Sequence, residues 1–389
     1  MTAINFDQAS ELTYKKISNA MSNVQSIAAD TARHFNGEVF PSHCTENQYY
    51  FDDDNYHGGW NTGFWTGIIW LCYEASGDEK FKKIAESQLP SFIKRINEKI
   101  GVNHHDMGFL YSLSCEAAYM ITGNEKAHDA AISAARHLAS RYRDKGEFIQ
   151  AWGNVDDETD YRLIIDCLMN IPLLYRAAIE TGDMHLDDIA YKHYRTTLKN
   201  IFRSDGSSHH TFYFNKQTGE PVKGVTHQGY SDNSCWARGQ AWGIYGIALT
   251  EKYHYNEQGV TAFEKCADYF LNHLPGDLVP YWDLIFTPED NQPRDSSAAA
   301  IAVCGLLEMC RYIKDKEKRA HYKKCADAIM NSLIDNYAVK PGNKSNGLLA
   351  HSTYYYKGNL GIDECCMWGD YFYTEALVRY LKPDWKLYW

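Results

Sequence analysis

The strongest constraint on the fold is a recurring unit: an apolar helical run, a short turn, then a two-faced helical run. GWNTGFWTGIIWLCYEA leads into the turn Ser76-Gly77-Asp78 and then EKFKKIAESQLPSFIKRI. The same order returns around Thr122-Gly123-Asn124 and around Thr181-Gly182-Asp183. Two further copies open with SCWARGQAWGIYG and DSSAAAIAVCGLL, and WGDYFYTEALVRYL supplies a last apolar run. The segment from Phe6 to His34 carries Leu12, Ile17, Met21, Val24 and Ile27 at helical spacing and serves as the missing outer partner. Glycine in the first three turns fits a helix C-cap, where the backbone turns left-handed. The first run of each pair is apolar nearly all round and so is buried, while the second has one polar face and lies outside. Six such pairs closing into a ring predict an all-α (α/α)6 barrel, with residues 1–389 as one domain. An open solenoid is the alternative, but the N-terminal helix filling the last vacancy favours closure.

Longer loops separate the copies. Residues 35–59 are polar, and their Asp52-Asp53-Asp54 run reads as a solvated turn. Residues 203–234 hold two short alternating runs that predict a small β-hairpin, and 275–296 and 339–369 are similar. Long loops on one rim of a helical barrel are where a pocket is built.

Asp106 and Asp166 stand at the same point of successive copies, each before an apolar helical run. A carboxylate there is stabilised by the free N–H groups and positive dipole end of its helix, which is reason enough for a lone aspartate. Two of them on one rim, in apolar and aromatic surroundings, suit general acid and base work on a sugar. Two close carboxyls do not both ionise easily, so one keeps its proton and serves as the acid. Arg238, beside Trp236 and Trp242, must find an anion, either an aspartate of a neighbouring helix or a carboxylate of the substrate. The doublets His104-His105 and His209-His210 lack metal-ligand spacing and read as substrate hydrogen bonding or loop packing, so no metal or cofactor is expected. Of Trp60, Trp65, Trp152, Trp236 and Trp242, the loop-junction pair Trp60 and Trp152 are the better stacking platforms.

A formal net charge of −11 argues against nucleic acid and anionic membranes as partners, so basic groups that hold an acidic ligand must be local. Phosphate-binding glycine loops and a GxSxG elbow are absent, which leaves nucleotide and serine-hydrolase chemistry without support. The 29 Tyr and 10 Trp suit stacking on sugar rings. Eleven cysteines without a CxxC pair read as reduced, buried thiols, and the polar N-terminus has no signal-like core. No apolar run approaches the roughly 20 residues that span a bilayer. A cytoplasmic location follows as the expectation.

HHDMGF, IIDCLMNIPLLYRAA and SCWARGQAWGIYG, in that order and spacing, resemble the unsaturated glucuronyl hydrolases of glycoside hydrolase family 88, from about Trp60 to the end. The resemblance implies an (α/α)6 barrel acting on lyase-generated glycosaminoglycan oligosaccharides that carry a 4,5-unsaturated uronic acid at the non-reducing end. It implies hydration of a vinyl ether rather than displacement at the anomeric carbon. The residue matching Asp166 protonates C4 and helps activate the water that adds at C5. The residue matching Asp106 holds the ring and stabilises the developing charge, or acts in a nucleophile-like way. It further implies a pocket lined by Trp60, His105, Trp152, His210, Gln228, Arg238 and Trp242, with the loop Gly224–Thr226 near the uronate carboxylate. It also implies substrate binding by Ser352, Tyr355 and Lys357 of HSTYYYKG, with Tyr355 standing where some relatives that prefer sulfated glycosaminoglycans have a second serine. A related rhamnogalacturonyl hydrolase acting on pectin fragments, a histidine-based sugar epimerase and a non-catalytic carbohydrate-binding barrel are the competing readings.

Overall fold

In the computed structural model the described residues are 6, 11–52, 59–157, 159–340 and 342–389. Asp53 and Asp54 of the expected acidic turn lie outside them.

Glycine sits where the backbone must turn left-handed. Gly77, Gly123 and Gly182 close their helices at φ 72°, 71° and 74°. The residues directly after these glycines, Asp78, Asn124 and Asp183, cap the following helices with their side chains. One three-residue turn thus stops an inner helix and starts an outer one.

Among the described residues this builds six hairpins. They are α2 (Thr62–Ser76) with α3 (Glu79–Glu98), and α4 (Met107–Tyr111) and α5 (Ala117–Thr122) with α6 (Glu125–Ala139). Next come α7 (Pro172–Thr181) with α8 (Met184–Asn200), α9 (Ala237–Glu251) with α10 (Glu257–Asn272), and α11 (Ser296–Met309) with α12 (Lys316–Ser332). The sixth pairs α13 (Met367–Leu381) with α1 (Tyr14–Thr31), which packs on α13 and α2. Because α13 also packs on α2 and α11, the ring closes as an (α/α)6 barrel. Every residue of α9 is buried, as its all-round apolar pattern requires. Helix α1 is shorter than the Phe6–His34 span its spacing suggests. Trp389 seals the end where the inner helices finish, stacking on Phe372 at 6.0 Å and 8° and donating its indole N–H to Glu375.

Among the described residues three small antiparallel sheets lie in the loops: β1 (Tyr142–Arg143) with β2 (Phe148–Ile149), β3 (Arg162–Ile164) with β4 (Thr211–Phe214) and β5 (Pro221–Val225), and β6 (Ser352–Tyr355) with β7 (Leu360–Glu364). The hairpins expected within 203–234 and 339–369 are β4–β5 and β6–β7. The first gains β3 as a third strand, and the hairpin expected in 275–296 is replaced by single bridges from Trp236 to Asp283 and from Tyr281 to Arg294. The second and third inner runs are also less regular than their sequence pattern. A π-helical turn, Ser112–Glu116, separates α4 from α5, and Asp166 sits in a 3-10 turn, Ile165–Met169, before Pro172 starts α7. No helix among the described residues is long and apolar enough to cross a membrane.

Candidate active site

The inner helices start on the rim that carries the two aspartates. Asp106 occupies the N-cap position of α4, yet its side chain makes no capping bond. Asp166 is delivered by the sheet: Ile164 pairs with Thr211, and Ile165 N–H donates to the His210 carbonyl at 3.1 Å. The His105 N–H donates to the Ala151 carbonyl at 2.8 Å, which ties the first aspartate's loop to the segment carrying Trp152.

His105 stands between the two acids. Its Nε2 is 3.4 Å from Asp106 Oδ1 and 3.3 Å from Asp166 Oδ1. Oδ1 of Asp166 makes no hydrogen bond. Asp106 and Asp166 are 13% and 21% exposed, deep but open to a ligand, whereas His105 is 1% exposed. Burial drives the His105 pKa down to about 4, so the ring is neutral near pH 7. Burial and then the Asp106 charge push Asp166 well above the ordinary carboxyl range. Burial opposes ionisation of Asp106 too, but His105 beside it and the bond from His104 outweigh it and hold that carboxyl below its usual value. The two carboxyls are thus driven apart, Asp166 toward its protonated form and Asp106 toward its ionised one, an arrangement that suits an acid beside a charge stabiliser.

Aromatic rings surround the pair. Trp60 stacks on Trp368 at 5.0 Å and meets Phe109 at 5.8 Å. Trp242 is buried against Phe109 and Phe372 and serves as floor rather than wall. Trp65 and Trp236 are also buried. Trp152 lies half-buried with the Arg162 guanidinium 4.6 Å over its ring. His210 is buried against Trp236, its pKa lowered by burial to about 3, and its Nε2 lies 3.2 Å from Gln228 Oε1. Gln228 in turn donates to the Tyr354 carbonyl at 3.1 Å. His104 meets the Gly101 carbonyl, and His209 packs under Gly224, where a Cβ would fall 2.3 Å from its ring. Thr226 spends its hydroxyl on the Gly229 N–H at 2.8 Å.

Of the two anions weighed for Arg238, the structure supplies the aspartate. Arg238 pairs with buried Asp295 at 2.7 Å and donates to the carbonyls of Thr353 and Tyr354 at 2.7 and 2.6 Å. A cation in the first turn of α9 opposes the helix dipole, and Asp295 together with the faces of Trp236 and Trp368 compensates it. Three of its N–H contacts thus go to a neighbouring helix start and to strand β6, while its charge still acts on Asp166, whose ionised form it favours. Ser352, expected to bind substrate, is instead fully buried, and its hydroxyl pairs with Ser296 Oγ at 2.9 Å. Tyr355 stacks on His227 at 5.1 Å, and the Lys357 side chain is exposed nearby. His227, which also lies 6.1 Å from Trp152, was not singled out from the sequence, where a lone loop histidine carries no signal.

The fold also brings together ligand sets that sequence spacing did not suggest. His105, Asp106 and Asp166 present one atom each within 4.8 Å of one another, as do Glu116, His128 and Glu180. In the second set Arg176 reaches Glu116 at 3.0 Å and Glu180 at 2.5 Å, and so takes a cation's place.

The chain matches Glycosyl Hydrolase Family 88 over residues 32–376. It is 49% identical over 354 residues to an unsaturated chondroitin disaccharide hydrolase of Streptococcus agalactiae, covering 91% of this chain and 88% of that one. The crystal structure of an unsaturated glucuronyl hydrolase from the same species superposes with a TM-score of 0.93 at 46% identity, over 99% of this chain and 96% of the other. A mutant of that enzyme complexed with dGlcA-GalNAc6S superposes with a TM-score of 0.86 at 43% identity, with the same coverage. With family, barrel and rim in agreement, the chain belongs to glycoside hydrolase family 88.

Proposed function

We propose that this chain is a hydrolase releasing the 4,5-unsaturated uronic acid from the non-reducing end of lyase-generated glycosaminoglycan disaccharides and oligosaccharides, chondroitin and hyaluronan units first. The observation that carries this reading is the pair of carboxyls facing His105 Nε2 at 3.4 and 3.3 Å, with Asp166 raised above and Asp106 held below the ordinary carboxyl range. Asp166 gives its proton to C4, and positive charge builds at C5 beside the ring oxygen. A water adds at C5 and returns a proton to Asp166. The resulting hemiketal opens, and the glycosidic bond falls apart to free the second sugar. Asp106 stabilises the charge at C5 and holds the ring. Trp60 and Trp152 offer faces to the sugars over the floor made by Trp242, with His105, His210 and Gln228 as polar partners and Gly224 and Thr226 at the edge. Tyr355 and Lys357 face the second sugar. Arg238 acts from behind, through Asp295 and the strand that bears Tyr355.

An epimerase would need histidines that exchange protons near neutral pH, and burial holds His105 and His210 far below that range. Eleven free thiols support a cytoplasmic setting. The test follows the ultraviolet absorbance of the conjugated double bond with unsaturated chondroitin and hyaluronan disaccharides. The wild type removes it. Asp166→Asn slows that loss on the order of 10²–10⁴-fold, the usual worth of a positioned acid. A flat wild-type trace on these sugars, or an Asp166→Asn trace like the wild type, contradicts the reading.

A further inference from the structure

An aspartate at an N-cap normally folds its carboxylate back onto the N–H two or three residues into its own helix. Asp106 does not. The N–H it would take, that of Phe109, donates instead to Asn170 Oδ1 at 2.9 Å. The other end of the same carboxamide, Asn170 Nδ2, donates to the main-chain carbonyl of Asp166 at 3.1 Å. Asn170 is fully buried, and its two partners, one an N–H and one a carbonyl, allow only one orientation of the amide. The turns approach closely enough for this because residue 108 is glycine: a Cβ there would lie 2.6 Å from Asn170 Cα.

We infer that Asn170 is a positioning residue that caps α4 in place of Asp106 and so leaves the Asp106 carboxylate free to face His105 and Asp166. One side chain thereby clamps both acid-bearing turns at once. The inference deepens the functional reading above and rests on it for its kinetic consequences. Asn170→Ala vacates the cap, and Asp106 turns back to the Phe109 N–H. The like charge that helps keep Asp166 protonated then recedes, so Asp166 loses its proton at lower pH. Asn170→Asp keeps an acceptor for Phe109, loses the donor to Asp166, and adds a third negative charge, which moves Asp166 the other way.

The experiment measures kcat against pH on unsaturated chondroitin disaccharide for wild type, Asn170→Ala, Asn170→Asp, Asp106→Asn and the Asp106→Asn/Asn170→Ala double variant. Carbon-13 titration of labelled aspartate carboxyls accompanies it. For Asn170→Ala, kcat falls on the order of 100-fold, as misplacing a catalytic group does. Its alkaline limb and the Asp166 titration both move to lower pH. For Asn170→Asp, kcat stays within about 10-fold of wild type, since the charge is still placed, and the limb moves to higher pH. The double variant is no slower than Asp106→Asn alone, because the second change acts through a carboxylate already gone. Limbs that stay put or shift together, or an Asn170→Ala loss that adds to that of Asp106→Asn, overturn the inference. If circular dichroism shows Asn170→Ala unfolded, Asn170→Asp decides alone: an unshifted or lowered limb overturns it. A wild type inactive on every unsaturated disaccharide sinks the functional reading instead, and the carboxyl titrations still decide the role of Asn170.

Discussion

At the scale of the residue, burial turns two chemically identical side chains into different reagents. Asp106 and Asp166 share His105, yet only Asp166 is raised, because it pays for burial without a partner on Oδ1 and also feels the Asp106 charge. Arg238 shows another outcome, a buried charge paired with an aspartate at the start of a neighbouring helix. Removing one partner of a buried pair leaves the other uncompensated, so Arg238→Met is expected to cost about 3–5 kcal/mol in urea unfolding. A loss below about 1 kcal/mol would mean that Asp295 finds another partner. The sequence marked Arg238 as needing an anion but could not choose it, since Asp295 belongs to the next hairpin. It also marked Ser352 by its neighbourhood alone. The register of β6 shifts between Ser352 and Thr353 and both side chains are buried, which no local pattern announces.

At the scale of the element, what was legible is what is local. Gly77, Gly123 and Gly182 each sit in a turn whose geometry only three residues decide, so the hairpins and their order could be read directly. Strand β3 could not, because its partner β4 lies beyond a whole helical hairpin and pairing depends on the barrel that brings them together. The start of α7 was misread for a smaller reason: Pro172 takes the first helical position and leaves Asp166 in the 3-10 turn ahead of it. Helix turns far from the acid-bearing rim also allow a clean prediction. Gly123→Ala, forced to φ 71°, and Asn124→Ala, which loses the cap on the Ala127 N–H, are each expected to lower stability by about 1 kcal/mol. Denaturant unfolding should show both losses, with kcat unchanged. A change in kcat would mean that this turn is coupled to the site.

At the scale of the whole molecule, ring closure gives the barrel two unlike ends. One is filled by Trp389, Phe372 and the Arg379 pairs with Glu308 and Glu375, while the other gathers the helix starts, the sheets and both acids. The chain is acidic overall, so exposed Lys357, together with Arg162 that Asp160 partly neutralises, supplies local positive charge beside His227. In the reaction proposed for this site the attacking oxygen adds at C5 after Asp166 protonates C4. The most direct measurement runs the reaction on an unsaturated chondroitin disaccharide in aqueous methanol and identifies the products by mass spectrometry and NMR. Methanol adding at C5 gives a ketal that cannot open, so the account predicts a trapped disaccharide with a methoxy group on C5, no double bond and the second sugar still attached. A methyl glycoside at C1 with the double bond intact would contradict it.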